Sequence, residues 1–215
     1  MTNQSEYEPT SNYAIQNIEG WMVYVNHRLL EEERELGCDA LKLVRIKLYD
    51  INRVVPKLSL EKLHEVAIWM EIESEKVTCA CYHPSEQWLS ENGFNPAKAK
   101  AVEIGNSANF LRWSLHQPFM MLHELAHAYH HQVLGYDNPD IKAAYERAVE
   151  SGIYESVLRY NGGQARAYAL NNDQEYFAEQ TEAYFGTNDF YPFVRAELMR
   201  HDSLMYKTLK KLWGE

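Results

Sequence analysis

The stretch His123-Glu124-Leu125-Ala126-His127-Ala128-Tyr129-His130-His131 holds four of the chain's nine histidines inside an apolar, helix-forming segment. In a helix, residues i and i+4 share one face, with side chains about 6 Å apart. His123 and His127 can therefore grip one metal ion, and Glu124 can reach a water on that ion. One helical turn thus supplies two ligands and a general base. The flanks fit a helix. Gln117-Pro118 puts a proline where the first turn tolerates a missing N–H. Phe119, Met120, Leu122, Leu125, Ala126, Ala128 and Tyr129 continue the apolar segment, and Gly135 is the expected stop. Histidines buried there need polar partners, and no Asp or Lys stands near them in the sequence. His127 and His131 offer a second i, i+4 pair, but the residue after His127 is Ala128, which is no base. His130 and His131 are expected towards the exposed end of the helix.

A catalytic zinc site takes three protein ligands and keeps a position open. No His-x-x-Gly-x-x-His continuation follows His127, so a carboxylate is the expected third ligand. Downstream, Asn171-Asn172-Asp173 supplies a helix N-cap. The helix that follows carries Glu175, Glu179 and Glu182 at i, i+4 and i+7, among Tyr176, Phe177, Ala183 and Tyr184. Charge runs usually face solvent. Acidic side chains set among aromatics instead predict a helix packed on the first one, presenting carboxylates to something cationic.

The run Tyr168-Ala-Leu-Asn-Asn-Asp-Gln-Glu175-Tyr-Phe-Ala-Glu179, downstream of His-Glu-x-x-His, resembles the second motif of the gluzincin zinc peptidases typified by the catalytic domain of anthrax lethal factor. The likeness covers residues 118–186. It implies a zincin-like α+β metalloprotease fold and one Zn²⁺ held by His123, His127 and Glu175. It further implies Glu124 as general base, Tyr168 with its hydroxyl at the reacting centre, and Glu179 holding a ligand histidine in its tautomer. The implied activity is hydrolysis of internal bonds in a peptide or protein substrate. Two alternatives share the site: a catalytically silent metal-binding protein of the same fold, and a hydrolase of a non-peptide amide. Peptide deformylases also use His-Glu-x-x-His, but their third ligand is a cysteine in a Gly-Cys-Leu-like setting. Thr78-Cys79-Ala80-Cys81-Tyr82 does not match it.

At 215 residues, the chain fits one domain, 13–215, behind a loose polar N-terminus, 1–12. A net charge of −10 argues against a nucleic-acid or anionic-membrane partner. No apolar run approaches the ~20 residues of a membrane span. The start has neither a basic nor an apolar signal region, so a cytoplasmic protein is expected. Three cysteines are too few for a disulfide framework. Cys79-Ala-Cys81, with His83 close by, puts two thiols on one strand face. Buried thiols are expected there rather than a second metal, because ligand pairs are usually spaced Cys-x₂₋₄-Cys.

Period and punctuation predict a strand at 21–25, a helix at 27–36, and a longer helix capped by Asp39 and running to Pro56. A strand is expected at 64–72 with Cys79–Tyr82 beside it, then a helix at 85–93 and a strand at 98–105. The resemblance implies that this last strand lies at an edge open to an extended substrate. A helix from Asn138 to Ser151 follows. A hairpin turning at Asn161-Gly162-Gly163 would carry Tyr168 on its returning strand, and one helix would span 195–213. The sum is a small, mostly antiparallel sheet against several helices.

Overall fold

The computed structural model describes residues 7–215. The chain runs β1 (Tyr13–Ile18), β2 (Trp21–Asn26), α1 (His27–Glu31), α2 (Arg34–Val54), α3 (Lys57–Leu63), β3 (Ile68–Met70), β4 (Ala80–Tyr82), α4 (Glu86–Glu91) and β5 (Val102–Ile104). It continues through α5 (Ser107–Trp113), α6 (Met120–Tyr129), α7 (Pro139–Ser151), β6 (Val157–Leu158), β7 (Gln164–Ala165), α8 (Asp173–Phe185), α9 (Arg195–His201) and α10 (Ser203–Trp213). These residues group into two compact units. One comprises the chain up to Tyr49 with His64–Arg112, the other Asp50–Leu63 with Trp113–Glu215. Residues 1–6 of the expected loose terminus lie outside the described residues, while Thr10–Asn12 form a 3-10 turn leading into β1. No helix among the described residues is long and apolar enough to cross a membrane.

The first unit is built on a five-stranded sheet in the order β1-β2-β3-β5-β4. β1 and β2 pair antiparallel through a two-residue turn, Glu19-Gly20, with φ of 53° and 104°. Positive φ at both turn positions matches the twist of the strands. Gly20 is fixed a second time, because a Cβ there would come within 2.7 Å of the His64 ring. β1 is absent from the sequence-based expectations.

The sheet is mixed, not mostly antiparallel: β2 with β3 and β3 with β5 run parallel, and β4 with β5 antiparallel. Parallel partners need long crossovers, and the segment from α1 to α3 and the stretch through β4 and α4 provide them. Cys79–Tyr82 therefore pairs with β5 rather than beside β3. β5 itself is internal, bonded on both sides, so the expected open edge at 98–105 is corrected. β3 and β5 are buried at every position, as strands covered on both faces must be.

Three helix expectations change as well. The 27–36 helix stops at Glu31, and α2 begins at Arg34, leaving Asp39 inside it. The 195–213 helix breaks at Asp202. Its carboxylate accepts from the Met205 N–H, capping α10, and from the hydroxyls of Tyr154 and Tyr176. A side chain that caps one helix and satisfies two buried phenols ends the preceding helix there. Only Gln164–Ala165 forms the returning hairpin strand; Tyr168–Asn171 turns into a 3-10 segment.

Beneath the first unit's sheet lies a buried charge network. Lys98 Nζ is 2.6 Å from both Glu71 and Glu103. The Tyr13 hydroxyl and the Asn26 amide also donate to Glu71. Burial works to lower the ammonium's pKa, but the two carboxylates outweigh it and hold it above its ordinary value. Removing one partner of a buried ion pair strands the other charge. Lys98→Met is therefore expected to cost about 3–5 kcal/mol in denaturant unfolding. A loss below about 1 kcal/mol would show that the network contributes little.

In the second unit, α6 packs most extensively against α8. Trp213 at the end of α10 stacks on Tyr129 at 4.2 Å and lies parallel to Phe177 at 5.9 Å. Its indole N–H reaches Thr181, while Ser59 on α3 donates to its carbonyl. One aromatic residue thus ties three helices of this unit together and fixes how α8 faces α6.

Candidate metal centre

α6 carries His123 and His127 on one face, with ring centroids 4.8 Å apart. α8 supplies Glu175 from its first turn. The Asn172 side chain accepts from the Glu175 N–H at 2.7 Å, so the N-cap sets where this carboxylate emerges. Glu175 Oε2 lies 3.1 Å from His123 Nε2 and 3.2 Å from His127 Nε2, and the two Nε2 atoms are 3.1 Å apart. Metal bonds of 2.0–2.1 Å in a tetrahedral shell would put donor atoms about 3.3 Å apart. The triangle is already nearly that size.

The other nitrogen of His123 bears on what the triangle can hold. His123 Nδ1 is 2.8 Å from Glu182 Oε1, and an ionised carboxylate only accepts. Nδ1 therefore carries the proton, and in the neutral ring Nε2 presents a lone pair. Glu175 accepts from a ring nitrogen only where a proton sits on it, and a metal ion would take the place of that proton. Without metal, the added proton is favoured. Burial lowers the His123 pKa, but hydrogen bonds to Glu175 and Glu182 raise it well above the usual imidazole value. Glu175 is likewise opposed by burial, yet His123 and His127 hold it far below the ordinary carboxylate range. His123, His127 and Glu175 could thus hold a metal ion, and their donor set and spacing fit one.

Glu124 is 9% exposed and makes no hydrogen bond or ion pair among the described residues, yet its charge is felt at His123, Glu182 and Tyr168. It is an uncommitted carboxylate beside the triangle. The Tyr168 hydroxyl donates to Glu175 Oε1 at 3.3 Å. Burial and the Glu175 charge push its pKa up, so it remains a donor. Tyr168 itself is 47% exposed.

The resemblance gives the tautomer-holding part to Glu179, whereas the closest carboxylate to His123 Nδ1 is that of Glu182. Glu179 stands at 3.7 Å, beyond a hydrogen bond. Helical phase explains this, since 100° per residue leaves Glu182 about 20° from the direction of Glu175 and Glu179 about 40°. Burial, followed by the charge of Glu182, raises Glu179 well above the carboxylate range. Burial raises Glu182 as well, opposed by its hydrogen bond with His123.

The remaining histidines depart from expectation. His130 is fully buried, not near an exposed end, and neither ring nitrogen has a hydrogen-bond partner among the described residues. Burial brings its pKa down to about 4. It packs against Tyr136 and Phe177, while half-buried His131 stacks on Tyr136 at 4.8 Å. The His127/His131 pair is thus not brought together at a donor set.

Comparison with family models, curated proteins and solved structures gives no significant match to this chain. The reading of the site therefore rests on its own geometry. Glu182→Gln should weaken metal binding about 10–100-fold, the usual effect of losing a ligand's hydrogen-bond partner. Glu179→Gln should have the smaller effect in a chelator-competition titration, and the reverse order would show that the contact at 3.7 Å is the one that matters.

Proposed function

We propose that this protein is a zinc-dependent metallohydrolase, a gluzincin-type peptidase that cuts internal peptide bonds. The observation that carries the reading is the convergence of His123, His127 and Glu175 within 3.2 Å of one another, with Glu124 alongside and committed to no other described group. Metal binding alone does not require a carboxylate at position 124 or a phenol at 168.

When bound, zinc brings the pKa of a coordinated water to about 7 and polarises a carbonyl oxygen. The protein does the rest. Glu124 accepts a proton from the attacking water and returns it to the leaving nitrogen, which becomes an amine as the C–N bond breaks. The second product is the carboxylate, so one water is consumed and nothing is oxidised or reduced. Tyr168, a neutral donor, contributes a hydrogen bond to the developing oxyanion, an interaction whose removal typically costs about 3–4 kcal/mol. Glu182 keeps the proton of His123 on Nδ1 and so keeps Nε2 available.

Glu124→Gln is the decisive variant. It is expected to retain zinc, by elemental analysis, while cleavage of a peptide library falls at least about 100-fold. Cleavage at the wild-type rate would remove Glu124 from the chemistry. Absence of cleavage by fully zinc-loaded wild type across the library would favour the silent-binder alternative.

A further inference from the structure

Cys81, His83 and Glu103 form another cluster of metal-ligating atoms, contained entirely in the first unit. Strand register assembles it. Cys81 is the cross-strand partner of Glu103 in the antiparallel β4–β5 pair, which brings their Cβ atoms to about 5 Å. His83, two residues beyond Cys81, returns to the same face. Its N–H donates to the Ala101 carbonyl at 3.0 Å, continuing the pairing past the end of β4. Cys81 Sγ is 3.5 Å from His83 Nε2, which is 2.6 Å from Glu103 Oε2. His83 and Glu103 are 4% and 1% exposed.

We propose that Cys81, His83 and Glu103 bind one borderline-soft divalent transition-metal ion, of which zinc is the representative. Thiolate, imidazole and carboxylate are the three ligand types zinc takes. Bonds of 2.3 Å to sulfur and 2.0–2.1 Å to nitrogen and oxygen put S and N about 3.6 Å apart, and N and O about 3.3 Å. The first spacing is already present. The second needs Glu103 Oε2 and His83 Nε2 to separate by about 0.7 Å, which rotation of the carboxylate about its soft terminal torsion can provide.

Charge favours the same occupant. Glu71 and Glu103 against Lys98 leave one net negative charge in the buried network. A Cys81 thiolate adds a second, and a divalent ion cancels both, as a buried cluster requires. Lys98 holds the other oxygen of Glu103, so that carboxylate is ionised and aimed with one oxygen towards His83. The ion would act as a clasp, fastening the three-residue edge strand β4 to β5. Cys79 is buried but lies outside the donor group, so the pairing that matters is across strands and not Cys-x-Cys.

The competing arrangement is the metal-free one, in which His83 Nε2 and Glu103 share a hydrogen bond. Cobalt separates the two. The metal-free full chain is titrated with Co²⁺ and read by its thiolate-to-cobalt charge-transfer absorption, which the sulfur-free triangle of His123, His127 and Glu175 cannot produce. Wild type is expected to show the band and to bind two ions. Cys81→Ser should lose the band and one ion, whereas His123→Ala and Cys79→Ser keep the band. No band in wild type at saturating cobalt would overturn the proposal without any variant needing to fold. So would an undiminished band in Cys81→Ser. A single bound ion with the band intact in both wild type and His123→Ala would support this site and overturn the other.

Discussion

The second unit is organised around one juxtaposition of ligating side chains. Three ligating atoms on two helices stand within 3.2 Å of one another. Burying polar groups without partners is costly, and here the ring nitrogens and the carboxylate are one another's partners. The surrounding packing over-determines the arrangement. Trp213 fixes how α8 meets α6, Asn172 fixes where α8 starts, and Glu182 fixes which nitrogen of His123 faces inward. Each of these could relax only by breaking apolar burial or a buried hydrogen bond elsewhere. The geometry of the triangle is therefore held by the rest of the unit.

Local periodicity made part of this legible. His123 and His127 follow from one helical turn, while the capped acidic helix offers Glu175, Glu179 and Glu182, among which only the resemblance singles out Glu175. Their neighbours were harder to read, because they depend on the rotation of one helix against another. Glu179 and Glu182 differ by only 20° in distance from the direction of Glu175, and packing around Phe177 and Trp213 selects between them. His130 lies seven residues beyond His123, within about 20° of its direction, so helical phase places it on the buried face. The π-turn His130–Leu134 begins only at this residue.

Sheet order lay further out of reach. β3, β4 and β5 have three residues each, too few for alternation to be informative, and two of them are buried on both faces. Their existence could be read from apolar composition. Their partners could not, because insertion of β5 between β3 and β4 is a non-local choice settled by crossovers. The break at Asp202 is similar. An aspartate inside an amphipathic run looks like a surface residue until Tyr154 and Tyr176, distant in sequence, arrive with buried hydroxyls.

The two clusters share one device and differ in one respect. Each has a carboxylate with Oε2 facing its fellow donors and Oε1 held by a hydrogen-bond donor: Glu175 by Tyr168, and Glu103 by Lys98. Holding one oxygen in this way restricts the carboxylate to a single ligating atom and fixes its plane. The pinning donors stand in opposite surroundings. Tyr168 is 47% exposed and Lys98 only 5%, so one cluster borders solvent on the side of its phenol, while the other pairs a buried ammonium with a half-buried Cys81. Metal sites that do chemistry keep a position open, and those that hold structure close their shell. On the proposed readings, the exposed phenol of the helical cluster suits an open position for turnover, and the cross-strand donors of the other suit a clasp.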